Sequence, residues 1–511
     1  MADIEKEPQD PHFASPTLNG ATTSERSGTP PRANGASSPH ADGVHRHPTF
    51  PSLAVAIGEN EPGLQRFLRR FKGEGRKVPT WSQSVKAFVN SSVLNVLIIF
   101  LPISWVAHYL KWTEGLTFSL CMLAIVSLES MTDYVAENLA LYLGKSLGDL
   151  TVISLDNLVE ATLAIILLKR CDLRLMQSTV IGVILLHLLL VPGVSFISGG
   201  RDILHQHLDP HTTELNKSLL TLGVLTLVVP AAFFAGIRNN VASSGSSEIV
   251  QNLAASVSVP SPISDETRGE LLKLSRGLAV ILLIGYIGSR IYLHNPPGQG
   301  NALSVPAGAP TALKEKEAEL EEEQPQMNQW SCFVAFAITI PLLAITAEWL
   351  VDSLEKVRET SGIKEEWFGL ILLPLVSFGG EALVTILYWT RKSLFANSAA
   401  RLPEELADGR TIDLSIQFSM FWAPLLVLIA WWTNKPLFML FDFFEVAVAI
   451  GACFLVNSVT DDAKTNWAEG LILLSFYMMI ATSAWFYDGQ QDVATMLACE
   501  SVAAALSGGA A

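Results

Sequence analysis

The chain has 511 residues, of which 50% are hydrophobic and only 16% charged, with a formal net charge of −15. Soluble domains carry roughly a quarter charged residues, so the composition argues against a cytosolic enzyme or a disordered scaffold; a nucleic-acid binder would need a basic face that this chain lacks. Five scattered cysteines (Cys121, Cys171, Cys332, Cys453 and Cys499), with no CxxC spacing, suggest neither a disulfide framework nor a zinc site.

Residues 1–80 are rich in Pro, Ser, Gly, Thr and His and poor in large apolar side chains. Such a segment buries too little surface to offset its ordering entropy and reads as a disordered cytoplasmic tail. It has no basic start, apolar run and small-residue cleavage site of a secretory signal. Its Ser15-Pro16, Thr29-Pro30 and Ser38-Pro39 pairs are candidate phosphorylation sites on what reads first as a solvated tail.

From about residue 86 the apolar residues come in long blocks. A bilayer core about 30 Å thick needs roughly 20 residues of helix. Eleven spans are expected, near 86–110, 116–136, 147–168, 176–198, 215–237, 272–293, 329–351, 367–390, 411–433, 436–458 and 467–487. Several contain proline (Pro192, Pro230, Pro374, Pro424), which membrane helices tolerate when neighbours satisfy the freed carbonyls. The basic run Arg69 to Lys77 holds the start of the first span in the cytoplasm. Eleven crossings then place the C-terminus on the lumenal or external side and the loop between spans six and seven in the cytoplasm. The acidic part of that loop, Lys314 to Gln324, reads as a solvated spacer rather than a calcium site, because its glutamates lack the alternating oxygens and central Gly of an EF-hand.

Spans three and eight resemble each other. Aligning Glu160 with Glu381 brings Ala161 onto Ala382, Ile165 onto Ile386 and Arg170 onto Arg391. By the counted topology these helices run in opposite directions, so spans two to six and seven to eleven form an inverted repeat and the first span is extra. The fold class expected is therefore an all-α polytopic membrane protein with two inverted five-helix repeats plus one N-terminal helix. The expected divisions are a tail (1–80), the extra helix (81–110), a first repeat (111–296), the acidic loop (297–328), a second repeat (329–490) and a short C-terminal tail (491–511). Inverted repeats commonly build transporters whose site lies near the bilayer midplane.

An ionised side chain inside an apolar helix costs at least about 2.5–3.5 kcal/mol on insertion scales. Glu160 and Glu381 each have two low-energy states, protonated or ionised beside a cation. Two such carboxylates facing one another would hold a divalent cation or release it as protons bind. Asn157, three residues before Glu160, lies on the same helical face and offers a carbonyl oxygen. Ser415 and Gln417 on span nine offer more. The bland alternative is a protonated glutamate bonded to a neighbouring helix.

The residues KLSRGLAVILLIGY (Lys273 to Tyr286), DFFEVAVAIGACFLVNSVTDDAKTNWAEG (Asp442 to Gly470) and AENLALYLGKSLGDL (Ala136 to Leu150) resemble the CAX family of vacuolar calcium/proton exchangers, within the calcium:cation antiporter superfamily. The resemblance covers about residues 80–490. It implies two sodium/calcium-exchanger-type repeats, a vacuolar or other endomembrane location, and transport of Ca²⁺ against H⁺. The signature motifs depart from the family. Its Gly-Asn-Ala-Thr-Glu stands here as Asp156, Asn157, Leu158, Val159 and Glu160. Its Gly-Asn-Ala-Ala-Glu-His stands as Ser377, Phe378, Gly379, Gly380, Glu381 and Ala382. The span-nine Ser-Ile-Gln is intact at Ser415 to Gln417, and an amide position in span four is His187.

By that resemblance Glu160 and Glu381 are the cation ligands and proton carriers, with Asn157, Ser415 and Gln417 as neutral oxygens. Asp156 either adds a third carboxylate, faces a cytoplasmic vestibule or caps a helix break. His187 is either proton-linked or a hydrogen-bonded structural residue. Gly379 and Gly380 suit a bend or close packing. The expected function is a proton-coupled cation antiporter rather than an enzyme, with no cofactor. Its partners are the lipid bilayer, the cations and protons it carries, and regulatory proteins at the tail and acidic loop. An antiporter for Mn²⁺, Na⁺ or K⁺, or a transport-inactive regulatory paralogue, are the alternatives.

Overall fold

In a computed structural model of the chain, residues 63–73, 77–200, 203–208, 210–244, 263–294, 324–376, 378–379 and 410–508 are described. In order, the helices are α1 (Gly63–Phe71), α2 (Trp81–Val89), α3 (Phe100–Tyr109), α4 (Glu114–Leu143), α5 (Lys145–Asp156), α6 (Leu158–Arg170), α7 (Leu173–Leu185), α8 (Val191–Gly200) and α9 (Pro210–Ser244). They continue with α10 (Asp265–His294), α11 (Gln329–Ser361), α12 (Glu365–Trp367), α13 (Arg410–Gln417), α14 (Ala423–Trp432), α15 (Phe443–Val459), α16 (Trp467–Phe486), α17 (Gln491–Leu497) and α18 (Val502–Gly508). Strands β1 (Gln206–His207) and β2 (Lys464–Thr465) pair antiparallel.

Among the described residues, seven helices are long and apolar enough to cross a bilayer, and nine if two bent pairs each count as one. The expected tenth span is the shorter apolar α15, and half of the eighth lies outside the described residues, as does most of the acidic loop. The outer helices show what faces lipid: Ile281, Ile284 and Ile291 on α10 and Met478, Met479 and Phe486 on α16 are exposed. In water such a surface would be a liability; against acyl chains it is satisfied.

Two expected spans are corrected. The first is not one helix: the chain bends by 85° between α2 and the segment Val93–Tyr109, whose first turns are 3₁₀. The break is held by Asn95, whose amide donates to the Phe88 and Val89 carbonyls and to Ser91 Oγ. Those bonds satisfy backbone acceptors that a bent helix would otherwise leave bare. The third span breaks by 50° at Asn157. The basic segment expected within the disordered tail forms α1, whose Phe71 ring packs 6.2 Å from both Trp330 and Phe333.

Prolines shape three inner spans in one way. A proline lacks an N–H and crowds the carbonyl four residues earlier, and a wider turn relieves both problems. A π turn precedes Pro192 (Leu186–Leu190), Pro374 (Phe368–Leu372) and Pro424 (Phe418–Trp422), each ending two residues before the ring. Spans four, eight and nine therefore share a local device readable from their prolines.

The packing respects an exchange of each span for the one five positions later. The first helices of the two halves, α4 and α11, lie together, as do α9 and α15. The contact of α10 with α14 is matched by that of α16 with α8. Span four meets span eight where α7 crosses the π turn at Phe368–Leu372, and span nine meets span three where α13 and α14 touch α5 and α6. Connections also sort by side as alternating crossings require. On the side of α1, the Tyr142 hydroxyl donates to the Met327 carbonyl and β1 pairs with β2. On the far side, Lys356 meets Glu114 at 2.7 Å and Lys364 meets Asp488 at 2.6 Å.

A disulfide between Cys171 and Cys499 joins the end of α6 to the C-terminal segment on that far side. This overturns the expectation that the cysteines were unlinked, and residue spacing gave no sign of it because the partners are distant in sequence. Cys121, Cys332 and Cys453 are buried and free.

Two outcomes follow from this packing. Gly182 crosses the π turn so closely that a methyl there would overlap Leu370 O and sit 2.7 Å from Pro374 Cγ, whereas Gly277 faces open space. Gly182→Val should cost about 1–3 kcal/mol by overpacking, read as a fall in the melting temperature that Gly277→Ala does not reproduce. Peptide mapping without reductant should recover the Cys171 and Cys499 peptides as one linked species, with the other three cysteines alkylated only after denaturation.

Candidate functional site

The break at Asn157 places polar groups where a continuous helix would have buried its own. Asn157 closes α5 and precedes α6, and it is fully buried. Its amide donates to Gln417 Oε1 at 2.7 Å and to the Leu414 carbonyl at 3.3 Å, while its own Oδ1 has no hydrogen-bond partner. Gln417, at the end of α13, donates in turn to Ser154 Oγ at 3.1 Å. Ser415 is buried with its hydroxyl 3.4 Å from the Ile184 carbonyl. The Asn-Gln pair thus ties the broken third span to the ninth.

Glu160 occupies the first turn of α6 and is 2% exposed. A helix N-terminus carries partial positive charge, complementary to a carboxylate. His187, brought in by the π turn of span four, places Nε2 4.0 Å from Glu160 Oε1, and its Nδ1 has no hydrogen-bond partner.

Glu160 and His187 line a cavity of about 150 Å³ that also takes in Asp156, Phe378, Arg410 and Thr411. Three further acids line it from α4: Glu129, Asp133 and Glu137. Their four-residue spacing puts them on one helical face over about 12 Å, from the tail-side end of α4 inward. Among the described residues, five carboxylates therefore share the cavity with one guanidinium. Arg410 pairs with Asp156 on this lining. A second buried pair, Asp413 with Arg290 at 2.5 Å, neutralises the acid on the next turn of α13.

The sequence-expected residues Asn157, Glu160, Ser415 and Gln417 are all buried within one neighbourhood, with His187 beside Glu160. Glu381, with Ser377, Gly380 and Ala382, lies outside the described residues. Phe378 lines the cavity and is 7% exposed. Gly379 packs so that a methyl would come within 2.9 Å of Val126 on α4, fitting the close packing expected of that glycine. The acids of α4 were missed by reading that helix for hydropathy alone; their period of four was the available signal. Among the described residues, no three His, Cys, Asp or Glu side chains converge tightly enough to hold a metal on protein ligands alone. What the arrangement offers is a negative funnel ending at a buried carboxylate, a setting that concentrates cations and protons.

Gln417→Ala should leave the buried Asn157 amide without its shortest bond, a loss of about 1–3 kcal/mol. A thermal melt of the purified protein should show it, and Ser154→Ala, farther along the chain of bonds, should cost less.

Comparison with known proteins follows the same division of the chain. Residues 113–293 and 331–486 match the family described as sodium/calcium exchanger protein. A vacuolar calcium ion transporter of Cryptococcus neoformans var. grubii is 29% identical over 499 residues, covering 83% of this chain and 78% of that protein. A Ca²⁺/H⁺ antiporter of Synechocystis is 29% identical over 398 residues, covering 78% of this chain and 98% of its own. The solved structure of native YfkE superposes with a TM-score of 0.55 at 21% identity, over 77% of this chain and all of that one, a likeness of fold.

Proposed function

The chain belongs to the sodium/calcium exchanger family, and from that premise we propose that it is a proton-coupled antiporter moving Ca²⁺ from the cytosol into an acidic, vacuole-like organelle. The observation that carries this reading is the cavity: it is lined by carboxylates and takes in the buried Glu160. The names borne by the fungal and cyanobacterial relatives support the ion and the coupling. Residues 111–296 and 329–490 are taken as the two repeats, with the matched stretches inside them.

In this mechanism Glu160 and Glu381 exchange cation for protons. A divalent ion displaces protons from the carboxylates when the cavity faces the cytosol, and protons from the acidic lumen displace the ion after the repeats rock. Asn157 Oδ1 supplies a neutral oxygen, since Asn157 is already anchored through its nitrogen. Ser415 and Gln417 hold that geometry, with Gln417 Oε1 committed to Asn157. Arg410 pairs with Asp156, so Glu129, Asp133 and Glu137 do most to attract the ion. The N-terminal tail and acidic loop are where regulatory partners would act.

One observation favours a second cargo. Ca²⁺ takes oxygen ligands, whereas Mn²⁺ and later transition metals also accept imidazole nitrogen. His187 beside Glu160 would shift preference toward Mn²⁺.

Reconstituted vesicles with an acidic interior should take up Ca²⁺, and Glu160→Gln should abolish uptake. Undiminished uptake in the double Glu160→Gln, Glu381→Gln protein would falsify the mechanism. Stronger inhibition of labelled Ca²⁺ uptake by Mn²⁺ than by Na⁺ or K⁺, relieved in His187→Asn, would identify the second cargo. Absence of flux for every cation, with the fold intact, would mark a transport-inactive relative.

A further inference from the structure

At the far side of the molecule a second polar cluster is sealed from solvent. Glu366, just before the π turn of span eight, is 3% exposed and accepts from Arg174 Nε at 2.7 Å and from Ser178 Oγ at 2.7 Å, both on α7. The Arg174 guanidinium also donates to the Asp488 carbonyl at 2.8 Å. Gly489 lies over this pair at φ +74°, and a methyl there would overlap both Arg174 and Glu366, so only glycine closes the lid. The first and second repeats are thus joined at this end by a buried ion pair under a backbone cover.

Beside it, Glu445 in the first turn of α15 is 2% exposed, and its Oε1 has no hydrogen-bond partner. Glu445 and Glu366 line one small cavity of about 10 Å³, room for about one water. The charges facing Glu445 are those of Arg174 from α7, Glu366 from α12 and Asp442 at the start of its own helix. Arg174 is engaged by Glu366. Asp442 is saturated, accepting from the Phe444 amide, the Gln490 amide and the Tyr487 hydroxyl at 2.7–2.8 Å. Burial and that Asp442 contact push the Tyr487 phenol up, keeping it a donor. Neither α9 nor the π turn of span four brings a titratable group into this cavity among the described residues. Three carboxyls thus share one guanidinium in a small buried pocket, and Glu445 is the one with an oxygen that no protein donor meets among the described residues.

We propose that Glu445 is a proton-binding site at the lumenal end, separate from the Glu160 cavity, and that its proton controls the Arg174–Glu366 pair as a lumenal gate. With Glu445 protonated, its O–H can donate to Glu366, which compensates that carboxylate when Arg174 lets go. With Glu445 ionised, Glu366 keeps only the Ser178 hydroxyl when the guanidinium leaves, and the gate stays shut. A lumen rich in protons therefore favours opening on the side where cation must leave. The proton site stands on geometry alone; its gating role rests on the antiporter reading.

Two measurements test it separately. The infrared spectrum of the purified protein at mildly acidic pH should contain a protonated-carboxyl C=O band that fades toward neutrality and is missing in Glu445→Gln. Superimposable spectra would overturn the proton site, whether or not the protein transports anything. In vesicles, Glu445→Gln, which cannot ionise, should keep uptake at acidic lumenal pH and lose most of its decline as the lumen is brought to neutrality. A lumenal pH profile identical to wild type would overturn the gating role. Should Glu445→Gln fail to fold, Ser178→Ala, which removes a donor from Glu366, should shift the same band; an unmoved band would count against the proposal.

Discussion

A charge buried among hydrocarbon and helices must be neutralised, and most of this architecture serves that one constraint. Insertion of a carboxylate at midplane costs at least about 2.5–3.5 kcal/mol, yet Glu160 is nearly fully buried. The chain accommodates it by breaking span three at Asn157, which puts a helix N-terminus against the carboxylate and frees polar groups to meet span nine. Several other acids are paired with a guanidinium: Asp156 with Arg410, Asp413 with Arg290 and Glu366 with Arg174. Among the described residues the Glu160 cavity gathers five acids with Arg410, a concentration of carboxylates that draws cations toward it.

Much of this was legible in the residues. The apolar blocks located the helices, with some ends off by up to ten residues, because a helix that must satisfy every backbone group inside a bilayer leaves a run of apolar side chains in the sequence. Asn157, Glu160, Ser415 and Gln417 stood out as polar groups inside such runs, and all are buried in one region. What escaped notice depends on partners distant in sequence. The 85° bend in the first span is fixed by a single asparagine side chain, and hydropathy averages over it. The Cys171–Cys499 link joins residues that only the fold brings together. The pairing of Asp156 with Arg410 likewise joins residues far apart in the chain, and nothing in the local motif announces that counter-ion.

The acids of α4 teach a different lesson. Glu129, Asp133 and Glu137 sit in a helix apolar enough to be counted as a span, so a hydropathy window absorbs them. Their spacing, however, is that of one helical face, and a polar stripe on a membrane helix has to face protein or water. The stripe was thus a statement about a cavity before any coordinates were known. It also bears on the altered signature motifs: where Phe378 occupies an asparagine position, the charge of the vestibule comes from a neighbouring helix instead.

Span four links the two ends. Arg174, Ser178 and Gly182 recur every fourth residue on α7, and this face lies against span eight: Arg174 and Ser178 on Glu366, Gly182 on the carbonyl of Leu370. Continued as an ideal α-helix the next member would be Leu186. The π turn beginning there takes up an extra residue, which carries the register toward His187, the side chain facing Glu160 and sharing its cavity with Phe378 of span eight. One seam between the repeats therefore runs from the far-side ion pair to the buried glutamate. Because glycine lets the backbones touch at its middle, a shift of span eight along α7 would be felt at both ends together. Close packing with a widened turn, rather than a flexible linker, is what would let a proton at one end bear on a cation at the other.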